Sequence, residues 1–140
     1  KEKAAEGVRR GAYVLADAEG GAPDVILMAT GSEVQMAVEA AGVLAGEGIK
    51  ARVVSAPSLD WFDQQDEEYR ESVLPKSVRA RVSVEAGIAM PWHKYLGDAG
   101  RAVSIEHFGA SAPYQRLFDE FGMTTEAVVA AARDSLAAAE

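Results

Sequence analysis

Apolar positions in this chain fall into short runs whose period changes several times, and those changes mark the elements. Ala12-Tyr13-Val14-Leu15 is a brief apolar run closed by the turn-forming Glu19-Gly20-Gly21-Ala22-Pro23-Asp24, which predicts a short strand and a turn. Val25-Ile26-Leu27-Met28-Ala29-Thr30 is continuous rather than alternating, the pattern of a central strand covered on both faces in a parallel sheet. Past Gly31, the residues Val34, Ala37, Val38, Ala41, Leu44 and Ala45 recur at three- and four-residue spacing up to Gly46 and Gly48. That stripe predicts a helix lying on the sheet, with Ser32 and Gln35 placed as a capping box at its start.

A strand over Ile49 to Ser55 completes a strand-helix-strand crossover. Pro57 to Gln64 reads as a loop carrying Trp61 and Phe62, followed by a short helix that opens on Asp66-Glu67-Glu68, turns Tyr69, Val73 and Leu74 inward and closes at Pro75. Arg79 to Val84 alternates polar and apolar residues, which predicts a strand with one partly wet face at the sheet edge. A short helix around Trp92 to Leu96 and a last strand over Ala102 to Ile105 follow. Pro113 suits the first turn of a helix burying Leu117, Phe118 and Phe121, and Thr124 or Thr125 caps a final helix presenting Val128, Val129, Ala132 and Leu136.

Composition narrows the class. At 140 residues, 49% hydrophobic and 26% charged, the chain has the size and balance of one globular domain with its own core. The formal charge of −8 opposes association with phosphate backbones or anionic lipid, so nucleic-acid and membrane roles are discounted. Apolar runs such as Val25 to Ala29 are far shorter than the roughly 20 residues a spanning helix needs. The lack of cysteine rules out disulfides and thiolate chemistry and fits the cytoplasm. Lys1-Glu2-Lys3 and the polar residues after it lack an initiator Met and any secretory pattern, so the chain reads as a piece of something longer, with residues 1–10 a linker and 11–140 the domain.

The chemistry is sparse. A dinucleotide site needs Gly-x-Gly-x-x-Gly at the first strand-to-helix turn and an acid after the next strand, whereas that turn holds Gly31 alone and the acid's place is Val54-Ser55-Ala56. Gly31 and Ser32 offer a helix start for a small anion, but Glu33 puts a carboxylate there, and simple capping is favoured. His93 and His107 are the only histidines, too few and too scattered for a zinc site, and suit packing or an interface better than catalysis. Glu85 and Glu106 each follow a predicted strand and are placed to form a buried acid pair. Trp61, Phe62, Trp92 and Tyr95 lie on irregular segments, where they either plug the ends of the sheet or meet another chain.

Taken in order, Asp24-Val25-Ile26-Leu27-Met28-Ala29-Thr30-Gly31-Ser32-Glu33-Val34, Ala51-Arg52-Val53-Val54-Ser55, Tyr69-Arg70-Glu71-Ser72-Val73-Leu74-Pro75 and Val84-Glu85-Ala86-Gly87 resemble the last domain of transketolases. Phe108-Gly109-Ala110-Ser111-Ala112-Pro113 and Leu117-Phe118-Asp119-Glu120-Phe121-Gly122-Met123-Thr124 resemble that family more closely than its thiamine-dependent relatives. The resemblance implies an α/β fold: a three-layer α/β/α domain with a mostly parallel five-stranded sheet and one antiparallel strand. It also implies a full-length parent that uses thiamine diphosphate with magnesium or calcium to transfer a two-carbon ketol unit between sugar phosphates in the pentose phosphate pathway. In that parent the partners are the preceding domains and the second subunit of a homodimer. The diphosphate and metal of such enzymes are held by Gly-Asp-Gly and a downstream Asn, and the chain has no Asn at all, so no catalytic, cofactor or metal residue transfers and the fragment is expected to be inactive and structural. Two other readings stay open, a small-anion or regulatory ligand module at Gly31 and Ser32, and a separately encoded half of a split transketolase.

Overall fold

The computed structural model describes residues 2–85, 92–104 and 124–140. Its strands are β1 (Tyr13–Ala16), β2 (Val25–Ala29), β3 (Ala51–Ser55), β4 (Arg81–Glu85) and β5 (Arg101–Ser104). Its helices are α1 (Glu2–Arg10), α2 (Glu33–Gly46), α3 (Leu59–Asp63), α4 (Glu67–Val73), α5 (His93–Leu96) and α6 (Thr125–Ala138). The strands form one sheet in the order β1-β3-β2-β4-β5, parallel throughout except that β1 runs antiparallel to β3. The α/β architecture and the single reversed strand match the expectation from the sequence.

Every residue of β2 is buried, as its unbroken apolar run requires of a central strand. Successive side chains of a strand point to opposite faces, so the sheet divides its residues between two cores. Val25, Leu27, Val53, Val82 and Val84 pack beneath α2 and α6 against Ala37, Ala40, Leu44, Val128, Val129 and Ala132. On the other face Ile26, Met28 and Val54 meet Phe62, Val73, Leu74, Trp92, Tyr95 and Leu96 from α3, α4 and the α5 segment. Ala40 of α2 faces the sheet and is buried, whereas Ala45, which the sequence stripe included, is exposed.

Three sequence-based expectations are corrected. Pro57 to Gln64 is not a loop: Ser58 Oγ accepts the Trp61 N–H at 3.3 Å and starts α3, whose five residues are too few to show a periodic pattern. Ser32 is not a capping-box residue. It lies in the helical region with no side-chain cap bond, its Oγ donating to Glu33 Oε2 at 3.3 Å, and the turn is begun by Gly31, at φ +60°, whose carbonyl accepts the Val34 N–H. Nor is β4 a half-wet edge strand, since it pairs with β2 and β5. Its polar residues are taken up internally: Ser83 is 1% exposed, and the Arg81 guanidinium donates to the carbonyls of Val78, Tyr95, Leu74 and Pro75.

The segment 1–10 is helical over most of its length, and α1 packs on the domain. The Arg10 guanidinium lies 4.6 Å above the Tyr69 ring, and the Tyr69 hydroxyl donates to the Ala12 carbonyl at 2.6 Å. Thr124 caps α6 through the Ala127 N–H, one of the two caps expected there, and Asp66 caps α4 through the Tyr69 N–H rather than lying in its first turn. The predicted helix after Pro113, together with His107 and Glu106, lies outside the described residues.

Candidate functional site

In an open α/β sheet, ligands are received at the carboxyl ends of the strands, where the connections diverge to either side. Here the chain leaves β2 for β3 on one side while β4 lies on the other, so the divergence falls between β2 and β4. A cleft of about 460 Å³ opens at that end, lined by Thr30 after β2, Ala56 to Asp60 after β3, Glu85 at the end of β4, and Trp92.

Its chemistry is acidic. Glu33, at the first position of α2, is 7% exposed. Glu85 is half-buried nearby, and its carboxyl is raised above the ordinary glutamate value by burial and then by the negative charge of Glu33, against which a hydrogen bond from the Trp92 indole works. Glu85 thus lies close enough to Glu33 to feel its charge, and the expected partner Glu106 lies outside the described residues. The signal was present, because both glutamates adjoin strand ends, but it needs the β2–β4 adjacency to be read.

The anion candidates Gly31 and Ser32 are both exposed, and Glu33 Oε2 lies where a Cβ on Gly31 would come within 3.5 Å of it. Negative charge thus occupies the helix start that would have to attract an anion. Of the candidate interface residues, Trp61 is 53% exposed and His93 is exposed, whereas Phe62 at 2% and Trp92 at 3% are packed inside the domain against Ile26, Met28 and Val54. Tyr95 is also buried, its hydroxyl donating to Asp63 Oδ1 at 2.6 Å, while Lys94 donates to the other oxygen at 2.6 Å. Burial acts to raise Asp63, but these two hydrogen bonds outweigh it and hold the carboxyl below its usual range. Burial together with the Asp63 carboxylate pushes the Tyr95 phenol up.

A second group of charges is structural. Buried Arg52 uses all its donors: Nε and Nη2 reach the two oxygens of Asp17, Nη1 the carbonyls of Ser72 and Val73, and Nη2 also the carbonyl of Gly21. Among the described residues, no three His, Asp or Glu side chains are grouped so as to hold a metal ion.

Residues 11–124 match the family model described as the transketolase-like TK C-terminal domain. The chain belongs to the transketolase C-terminal domain family. It is 61% identical over 134 residues to the transketolase of Mycobacterium leprae, a match covering 94% of this chain and 19% of that protein. The transketolase structure from Leishmania mexicana superposes with a TM-score of 0.86 at 43% identity, over 94% of this chain and 19% of that one. A structure described as a split gene transketolase, inactive beta4 tetramer, superposes with a TM-score of 0.75 at 27% identity, over 94% of this chain and 44% of that one. The chain thus spans about a fifth of the length of the curated transketolases it matches. No helix among the described residues is long and apolar enough to cross a membrane.

Proposed function

We propose that this chain is the non-catalytic, architectural part of a full-length cytoplasmic transketolase, a homodimer that transfers two-carbon ketol units between sugar phosphates in the pentose phosphate pathway. The observation that carries this reading is one of proportion: almost all of this chain aligns with transketolases, and about four-fifths of the Mycobacterium leprae and Leishmania mexicana proteins lies outside the alignment. The family match begins at Gly11, which supports residues 1–10 as the connection to a preceding domain.

Thiamine diphosphate with its metal supplies the carbanion chemistry of the parent when bound, and the residues present here do not fit that group. The segment nearest the diphosphate motif in sequence is Gly97-Asp98-Ala99-Gly100. Its Asp98 is bound to Arg79 at 2.8 Å, and the Ala99 carbonyl accepts the Ser135 hydroxyl at 2.6 Å. A Cβ on Gly100 would stand 2.3 Å from the Leu96 carbonyl oxygen, so this turn is closed by packing rather than opened to a ligand. No step of the transfer is assigned to this chain.

The test is kinetic. With xylulose and ribose phosphates, thiamine diphosphate and magnesium, the 140-residue chain should give no turnover, and the full-length protein carrying it should be active. Removing the domain from that protein should weaken dimer association while leaving bound cofactor detectable. Ketol transfer by the chain alone would overturn the reading. The described inactivity of the beta4 assembly in the split-gene relative lends it support.

A further inference from the structure

We propose that the surface around Trp61 and Val8 receives the domain that precedes this one in a full-length transketolase, with Trp61 as its anchor. The inference rests on the reading given under Proposed function and adds a location to it.

Four large apolar side chains among the described residues are widely open to solvent, namely Val8, Leu15, Val43 and Trp61. The backbone segments that carry two of these, Val8 and Trp61, meet at Gly11. The Gly11 N–H donates to the Val8 carbonyl at 3.1 Å, and the Gly11 carbonyl accepts the Ser58 N–H at 2.9 Å. A Cβ on Gly11 would lie 2.9 Å from that of Trp61. The last turn of α1 and the first turn of α3 are thereby fastened together.

The backbone of Trp61 is also fixed before anything binds. The Trp61 backbone N–H donates to Ser58 Oγ, its carbonyl accepts from Gln65 Nε2 at 3.0 Å, and its neighbour Phe62 is locked in the core. An exposed tryptophan on a backbone already held in place needs less ordering on docking, and such residues dominate interfaces. Arg9, Asp60 and Gln64 are exposed on the same two helices and the turn after α3, giving the patch a polar rim.

The occupant follows from connectivity. The matched family is a C-terminal domain and the relatives are about five times longer, so in them the preceding polypeptide arrives through the segment before Gly11. Val8 lies on that segment. A domain tethered within a few residues of the patch meets it at roughly millimolar effective concentration, an advantage a second free copy lacks.

Hydrogen exchange on the full-length protein and on the 140-residue chain alone tests this. Amides of residues 8–11 and 59–62 should exchange at least about tenfold more slowly in the full-length protein, with residues 77–80 at the opposite end of the sheet unchanged. Trp61→Asp should restore fast exchange there while shifting the melting temperature of the 140-residue chain by no more than about 2 °C. Equal rates in the two proteins would overturn the proposal, and so would slowing that appears in the short chain as its concentration rises, since a second copy would then be the occupant. A large loss of melting temperature in the short Trp61→Asp chain would overturn it too, by making Trp61 a core residue. Failure of the underlying reading shows separately, as an intact native mass no greater than that of this chain.

Discussion

Arg52 and Arg81 are both register partners of Ile26, one on each flanking strand, and between them they take four successive carbonyls, Ser72, Val73, Leu74 and Pro75, where α4 ends. The last carbonyls of a helix have no partner within it and carry its negative dipole end, so two guanidinium forks answer both needs. Arg52→Met and Arg81→Met should each destabilise the chain by about 3 kcal/mol, because buried carbonyls lose charged donors. Arg52→Lys should recover only part of that, since an ammonium cannot span the same set of acceptors. Urea midpoints check this, and a loss below about 1 kcal/mol would contradict it.

Ser83 predicts the opposite sign. Its Oγ is buried with no hydrogen-bond partner among the described residues, in register between Met28 and Ala102. An unsatisfied buried hydroxyl costs about 1–3 kcal/mol, so Ser83→Ala should stabilise by roughly 1 kcal/mol, or about 4 °C in melting temperature.

Gly11 cannot carry a side chain. Its φ is +90°, and a Cβ would stand 2.1 Å from the Ser58 carbonyl oxygen and 2.4 Å from the Phe62 nitrogen. Gly48 shares the positive φ, at +81°, but has open space around it. Gly11→Ala should therefore cost about 3 kcal/mol and Gly48→Ala about 1, because only the first adds a backbone collision to the conformational cost. Equal losses in chemical denaturation would show that the collision is relieved.

Glu85 gives a pH signature. Its carboxyl is raised by burial and by Glu33, so the folded chain holds this proton more tightly than the unfolded one. Stability contributed by the protonated form is present at low pH and is lost as pH rises from the ordinary glutamate value through the raised one. Subtracting the stability curve of Glu85→Gln from that of the parent, between about pH 4 and about pH 8, should leave a difference that falls with pH. A flat difference would mean that Glu85 titrates normally.

The parallel core could be read from the sequence because β2 has no polar residue to hide and α2 keeps its apolar stripe. Misreadings arose where polar groups are satisfied at a distance. Arg81 of β4 looked solvent-facing in the alternating pattern, yet it reaches back to carbonyls that only the fold brings near. Ser32 had the residue type and spacing of a cap, but Gly31 turned the backbone first. The Glu33–Glu85 proximity depends on strand order, which no local pattern encodes. Phe62 and Trp92 illustrate the same limit, since their types suit a core and an interface equally and only packing assigns them to the core.

Helix α6 is made after every strand of the sheet, yet it covers the valines of β4, and its Ser135 joins the Arg81 N–H to the Ala99 carbonyl. One side of the domain therefore stays open on the ribosome until α6 has left the exit tunnel, however early the strands emerge. The core on that side is finished only when α6 docks, and a product cut short within α6 leaves the valines of β4 uncovered, suited to chaperones and proteases rather than to assembly.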